Sequence, residues 1–312
     1  MKKQILFLAP LNKLGNHAFR KICIDFGAEK VFSEMIRIDK ILEGEEHQIQ
    51  KCLIPFEMQD KTILQVISED IENIPEGINK IVTLFPSVRE INYNMGCPQS
   101  SLCKKECGGA ITGNSLLVEK VSKYLFDSCS KFGIIPSIKI RLGISRENIT
   151  IFENIKIFKK IGIKKIYIHG RTLKDTYSRK ATFEEIAQVI SENPDLEIIP
   201  NGDIFNFEDL KNVSKITNVN TFLIGRGALE DPNIFINIFK KQDFDGCGCD
   251  LQDRIEIIIK YLFYAEKYGI VISKIKSNLS YFTKNVIGGS DFRKKINILN
   301  SVEEIIEFCS NL

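Results

Sequence analysis

The 312-residue sequence has no apolar run long enough to span a bilayer, which argues against a membrane-embedded chain. It also lacks a dominant charge. Its 43 basic and 40 acidic side chains leave a formal +3, so the distribution of charge, not its total, must speak for or against a nucleic-acid partner. Histidines number only three and none has companions at zinc-ligand spacing, so no metal centre is expected. The start, Met1-Lys2-Lys3 followed by apolar Ile5 to Leu11, is interrupted by Pro10 and lacks a small-residue cleavage site; it reads as a first strand and not as a secretory leader. Nine irregularly spaced cysteines fit a reducing cytoplasm better than a disulfide framework. An iron-sulfur site from Cys97, Cys103 and Cys107, with Cys247 and Cys249, does not match common cluster spacings. Nothing marks a stable protein partner.

Apolar residues make up 44% of the chain, enough for a soluble globular protein with one barrel and a small second domain. Short Ile/Val/Leu/Phe-rich runs recur at Ile5 to Leu8, Val31 to Ser33, Ile63 to Ile67, Glu90 to Tyr93, Ser137 to Ile140, Lys165 to Ile168, Glu197 to Ile199 and Thr221 to Ile224. Longer amphipathic segments separate them. Between the fifth and sixth runs, Ile151, Ile155 and Phe158 share a helical face, with Asn148 expected as N-cap and Gly162 as stop. Eight strands alternating with helices predict an α/β fold, a (β/α)8 TIM barrel over residues 1–240. Residues 241–250 are polar and carry Gly246 and Gly248, as a linker would. From 251 to 312 the apolar spacing is helical, as in Ile255, Ile258, Ile259, Leu262 and Phe263, predicting a small all-helical domain.

Function in such a barrel is built at the C-terminal ends of the strands. Pro10, Glu34-Met35, Gln65, Asn94 to Pro98, Lys139 with Arg141, His169 to Thr172, Asn201 to Asp203 and Gly225 to Gly227 all fall there. Glycines after strands seven and eight let backbone N–H groups approach a phosphate, and Arg226 adds charge; taken singly each would be a tight turn, but their joint position favours the phosphate site. Lys139 alternates with Ile138 and Ile140, so its side chain should differ from theirs and face the mouth. There it would need an anionic or electron-rich partner; reaching past its neighbours to solvent is an equal alternative. His169 alone reads as a satisfied structural residue. Cys97 lies in a loop bent by Gly96 and Pro98, where a thiol can act as a general acid.

The ordered set Leu8-Ala9-Pro10 with Phe19-Arg20, Ser33-Glu34-Met35, Asn94-Met95-Gly96-Cys97-Pro98, Lys139 to Gly143, His169-Gly170-Arg171-Thr172, Asn201-Gly202-Asp203 and Gly225 to Leu229 resembles the tRNA-dihydrouridine synthase family. The similarity extends more weakly to Phe292 to Asn297, and so covers nearly the whole chain. It implies FMN contacts from Pro10, Leu11, Gln65, Lys139, His169, Asn201, Asp203, Gly225 and Arg226, with Cys97 as proton donor. The implied reaction is hydride transfer from N5 of reduced FMN to C6 of a tRNA uridine, protonation at C5, and reduction of the flavin by NADPH in a separate half-reaction. Asn94, Arg141 and Arg171 at the mouth would then meet the substrate. This chain departs from the family pattern at Leu11 (usually Met), Gly15-Asn16 (usually Thr-Asp), Asn92 (commonly Asp) and Asp175 (frequently Gln).

Two rivals remain. An FMN-dependent TIM-barrel reductase or dehydrogenase acting on a free pyrimidine or an enone would share the barrel and phosphate loops. Against it, Lys274, Lys276, Lys284, Arg293, Lys294 and Lys295 face only Asp291 between positions 274 and 295, a basic stripe suited to tRNA phosphates unless it is simply a solvated helical face. A catalytically silent RNA-binding protein is the second rival.

Overall fold

A computed structural model describes residues 3–240 and 249–312. Eight parallel strands close on themselves: β1 (Ile5–Leu8), β2 (Lys30–Phe32), β3 (Thr62–Ile67), β4 (Glu90–Met95), β5 (Ile135–Arg141), β6 (Lys165–His169), β7 (Glu197–Asn201) and β8 (Thr221–Ile224). Closure is made by β1 against β8, with Ile5 opposite Thr221 and Leu8 opposite Ile224. The architecture is the expected TIM barrel, and each expected run overlaps a strand; several strands are one to three residues longer than the apolar pattern, and the second spans Lys30–Phe32, leaving Ser33 outside it. The expected linker lies for the most part outside the described residues, as does Cys247.

Period-two alternation divides the barrel into two cores. Outward residues such as Leu6, Leu8, Leu64, Ile91, Ile138, Ile166 and Phe222 join the large core beneath the surrounding helices. Inward residues Phe7, Ala9, Phe32, Ile63, Tyr167, Ile199 and Leu223 form a separate cluster inside the barrel. The β3–β5 side of that interior is polar instead, with Gln65, Asn92 and Ser137 buried in it.

The helix between β5 and β6 spans Ile151–Ile161, and Gly162 stops it at φ 104° as expected. Asn148 is not its N-cap. It sits in a small antiparallel hairpin with Ser145, and Thr150 occupies the cap position because the Leu142 carbonyl takes the N–H groups of Thr150 and Ile151.

Beyond residue 250 come four helices: Gln252–Lys267, Ile272–Phe282, Gly289–Ile298 and Val302–Ser310. They share the barrel's outer core. The ring of Phe19, in helix His17–Asp25, lies 6.0 Å from that of Phe282, which packs edge-on to Tyr261 at 5.2 Å. Polar contacts reinforce the junction. Asn16 caps its own helix through the Phe19 N–H, and its Nδ2 donates to Asn278 Oδ1 at 2.9 Å and to the Tyr261 hydroxyl at 3.2 Å. Asn278 in turn donates to the Leu14 carbonyl. No helix is long and apolar enough to cross a membrane among the described residues.

Candidate active site

A cavity of about 520 Å³ opens at the C-terminal ends of the strands, within the size range of ordinary ligand sites. Pro10, Leu11, Gln65, Asn94, Cys97, Lys139, Arg141, His169, Asn201, Asp203, Gly225 and Arg226 all line it, although they come from loops and ends of seven strands. No group of three or more metal-ligating side chains stands together among the described residues.

Cys97 is held through its backbone. The Asn94 side-chain carbonyl accepts the N–H groups of Gly96 and Cys97 at 3.0 and 2.9 Å, and the Cys97 carbonyl accepts the Gly109 N–H at 2.9 Å. Arg141 braces the same loop from the next strand, donating from Nε to the Gly96 carbonyl and from Nη1 to that of Thr172.

Lys139 extends into the cavity and has no hydrogen-bond partner among the described residues. Burial, aided by the nearby Arg141 charge and opposed by Cys97, pushes its ammonium down to about 7. A half-buried lysine in this state favours an electron-rich or anionic ligand. His169 is held well below its ordinary range by burial and by Lys139, Arg141, Arg171 and Arg226, and is therefore neutral. Its Nε2 lies 3.2 Å from Arg171 Nη1, which can only donate, so Nε2 is the acceptor and Nδ1 carries the proton.

The loops after β7 and β8 form the opposite wall. The backbone N–H groups of Gly225 and Arg226 make no hydrogen bond to described residues and are open to an anion. Gly227 lets the loops meet: a Cβ there would lie 2.3 Å from the Ile204 carbonyl. Asp203, with φ 41°, accepts from Arg226 at Oδ1 and from Arg171 and the Ala181 N–H at Oδ2. Two guanidiniums offset its charge beside the open N–H groups. Arg226 also lies 4.0 Å above the Tyr177 ring. A half-buried, unpaired lysine at one end and a neutralised, N–H-rich cradle at the other could hold a flavin ring and its phosphate.

Two of the residues expected to meet the substrate, Arg171 and Arg293, make bonds within the protein. Arg171 is 1% exposed, with its guanidinium engaged by Asp203, His169 and the Arg179 carbonyl, so it supports the cavity wall. Arg293 donates to the Thr283 carbonyl at the end of helix Ile272–Phe282, where it acts as a C-terminal cap. The rest of the stripe is not uniformly free either. Lys274 stands 3.9 Å from Glu34, Lys276 donates to the Asn297 carbonyl, Lys284 pairs with Glu230 and Lys294 with Asp291, while Lys295 is exposed. Sequence reasoning missed Tyr177, Phe205 and Tyr281, all of which line the cavity. Asp175, a departure from the family pattern, accepts the Thr172 N–H at 2.8 Å and pairs with Arg146, pinning the loop after β6.

Solved structures of 2-naphthoyl-CoA reductase (TM-score 0.57, 10% identity) and of histamine dehydrogenase from Rhizobium sp. 4-9 (TM-score 0.52, 11% identity) share the fold. They align with 77% and 90% of this chain, which spans about half of each of those longer chains. By sequence the chain is 28% identical over 306 residues to tRNA-dihydrouridine synthase B of Pseudomonas aeruginosa, covering 96% of this chain and 89% of that protein. It is 26% identical over 311 residues to a probable tRNA-dihydrouridine synthase of Aquifex aeolicus, covering 98% and 95%. The model of the dihydrouridine synthase family matches residues 7–311, reaching from β1 to the last helix and taking in every loop that lines the cavity, and the chain belongs to that family.

Proposed function

We propose that the chain is an FMN-dependent tRNA-dihydrouridine synthase that reduces the C5–C6 bond of a tRNA uridine with electrons from NADPH, Cys97 supplying the proton at C5. The observation that carries this reading is the meeting of Cys97, unpaired Lys139, neutral His169 and the open N–H groups of Gly225 and Arg226 around one cavity. Bound FMN would supply the hydride to C6. Lys139 would hold the electron-rich edge of the ring, Gln65 and Asn201 its polar atoms, and Gly225, Arg226 and the Asp203 loop its phosphate, with Pro10 and Leu11 closing the apolar side. Hydride addition at C6 leaves carbanion character at C5, and the Cys97 thiol, fixed by Asn94 and Arg141, delivers a proton there.

The uridine must leave its stack to reach the cavity. Asn94 and Arg141 line its path, and Lys274, Lys276, Lys294 and Lys295 would meet the tRNA backbone. In this reading residues 1–240 are the catalytic domain, 241–250 a linker and 251–312 the tRNA-binding domain of a cytoplasmic enzyme. Tyr281 and Lys284, from the helical region, reach the cavity rim, which favours a macromolecular substrate held by both parts over a free pyrimidine or enone. The test is to purify the protein, measure bound FMN, reduce it with NADPH and add unmodified tRNA. Reoxidation with formation of dihydrouridine is expected. A protein that cannot be loaded with FMN, or that reduces a free pyrimidine but not tRNA, would overturn the reading.

A further inference from the structure

Inside the barrel, five buried side chains form one continuous hydrogen-bonded column. Glu90, at the start of β4, accepts from the Ser137 hydroxyl at 2.7 Å, from the Tyr167 hydroxyl at 2.9 Å and from Lys165 Nζ at 3.0 Å. Ser137 accepts from Asn92 Nδ2 at 2.9 Å. Asn92 Oδ1 accepts from Gln65 Nε2, and Gln65 Oε1 accepts from Asn94 Nδ2, both at 2.9 Å. Asn94 Oδ1 then accepts the Gly96 and Cys97 N–H groups. All five side chains are 8% exposed or less.

The direction of every bond follows from one end. A carboxylate paired with a lysine can only accept, so the Ser137 hydroxyl must donate downward and its oxygen must accept from an N–H of Asn92. That turns the Asn92 carbonyl toward Gln65, the Gln65 carbonyl toward Asn94, and the Asn94 carbonyl toward the Cys97 loop. Each amide nitrogen has a second hydrogen, and at Gln65 that hydrogen has no partner among the described residues. Gln65 therefore has an unspent donor hydrogen beside the cavity it lines.

We infer that Glu90, about 13 Å from the mouth at the far end of β4, is a positioning residue that sets the polarity of this column. It thereby fixes what Gln65 and Asn94 present to the cofactor and holds the Cys97 loop in place. The inference rests on the flavin reading of the cavity. Reversing the column would turn the Asn94 NH2 against two backbone donors, and the loop would lose both bonds.

Glu90→Gln tests this, because the amide must turn its oxygen to Lys165, which has no acceptor, and its NH2 to Ser137. The polarity set at Ser137 then opposes the one that the Gly96 and Cys97 N–H groups set through Asn94, so the column loses a bond near Gln65. FMN binding to the purified protein is expected to weaken by about tenfold, the scale of one buried hydrogen bond. Adding Asn92→Asp to that variant places a carboxylate one station higher, where it accepts from both Ser137 and Gln65. This double variant is expected to recover FMN affinity to within about threefold of the wild-type value. A merely structural role would lower the melting temperature without that recovery. Unchanged FMN affinity in Glu90→Gln, or a double variant that binds no better, would overturn the inference. Where Glu90→Gln does not fold, Ser137→Ala cuts the column next to its carboxylate and should weaken FMN binding on the same scale; wild-type affinity there would overturn it equally. Wild-type protein that takes up no FMN would instead remove the flavin reading itself.

Discussion

Arg141 reaches across from β5 to place its Nε 2.8 Å from the carbonyl of Gly96, the residue before Cys97. The second arm of the same guanidinium holds the Thr172 carbonyl at 2.7 Å, so one side chain joins the loops that follow β4 and β6. Arg141→Lys keeps the charge but cannot make both bonds. A displaced proton donor is expected to slow single-turnover tRNA reduction by about 10²-fold, while FMN content stays near that of the wild type. Equal rates in stopped-flow measurements would show that the tether is dispensable.

Cys97→Ala removes the proposed proton donor while leaving Lys139, His169, Gly225 and Arg226 in place. Bound FMN and its reduction by NADPH should be nearly unchanged, with tRNA reduction lower by roughly 10²- to 10⁴-fold. Full single-turnover activity in this variant would assign the acid to another residue.

Lys139 gives the site a pH dependence of defined sign. Free protein holds its ammonium at about 7, and a negatively charged ring beside it would raise that value. Binding of the reduced, anionic cofactor should therefore take up a proton above pH 7. Affinity should be flat below pH 7 and should fall as pH rises through the interval between the free and bound values. Lys139→Met is expected to bind less tightly and to lose that slope, which titrations under anaerobic conditions from pH 6 to 9 would reveal.

Gly227→Ala would drive a methyl group to 2.3 Å from the Ile204 carbonyl. Because that carbonyl belongs to the backbone and cannot swing aside, the β7 and β8 loops must move apart, at a cost of about 1–3 kcal/mol. A melting temperature lower by several degrees and loss of FMN are expected together. Calorimetry and flavin absorbance check this.

Lys294 and Lys295 are exposed, and only Lys294 has an acidic neighbour, Asp291. Converting both to Glu should weaken tRNA binding and make its logarithmic salt dependence shallower by about 0.7–0.9 for each phosphate no longer engaged. An unchanged slope across a salt series would identify the stripe as a solvated face.

The barrel is legible in the sequence because each strand buries its outward face and breaks at a polar or glycine-containing end. The same breaks locate Cys97, Lys139, His169 and Gly225 at the mouth. What local pattern does not carry is cross-strand register. Arg171 has the composition of a phosphate ligand, yet its position between Asp203 and His169 makes it a buried brace. Glu90 looks like a strand's polar first residue until Ser137 and Lys165 are set beside it by the pairing of β4, β5 and β6. Tyr177 and Tyr281 gain meaning only when a long loop and a distant helix converge on one rim. Asn148 satisfies the rule for an N-cap, but the preceding hairpin claims it.

The junction of Asn16 with Tyr261 and Asn278 sets the order in which this protein can be completed as it is made. Those partners lie 245 and 262 positions apart in the chain, and β1 finds its second neighbour only at Thr221. Emerging from the ribosome, the first strand and the loop carrying Pro10 and Leu11 must wait for β8 and the helices that carry Tyr261 and Asn278 before their surroundings exist. An unfinished chain therefore exposes the edge of β1 and the Phe19 side of its first helix, the surfaces a chaperone would find. It cannot close its cavity before the loop carrying Gly225 and Arg226 has been made.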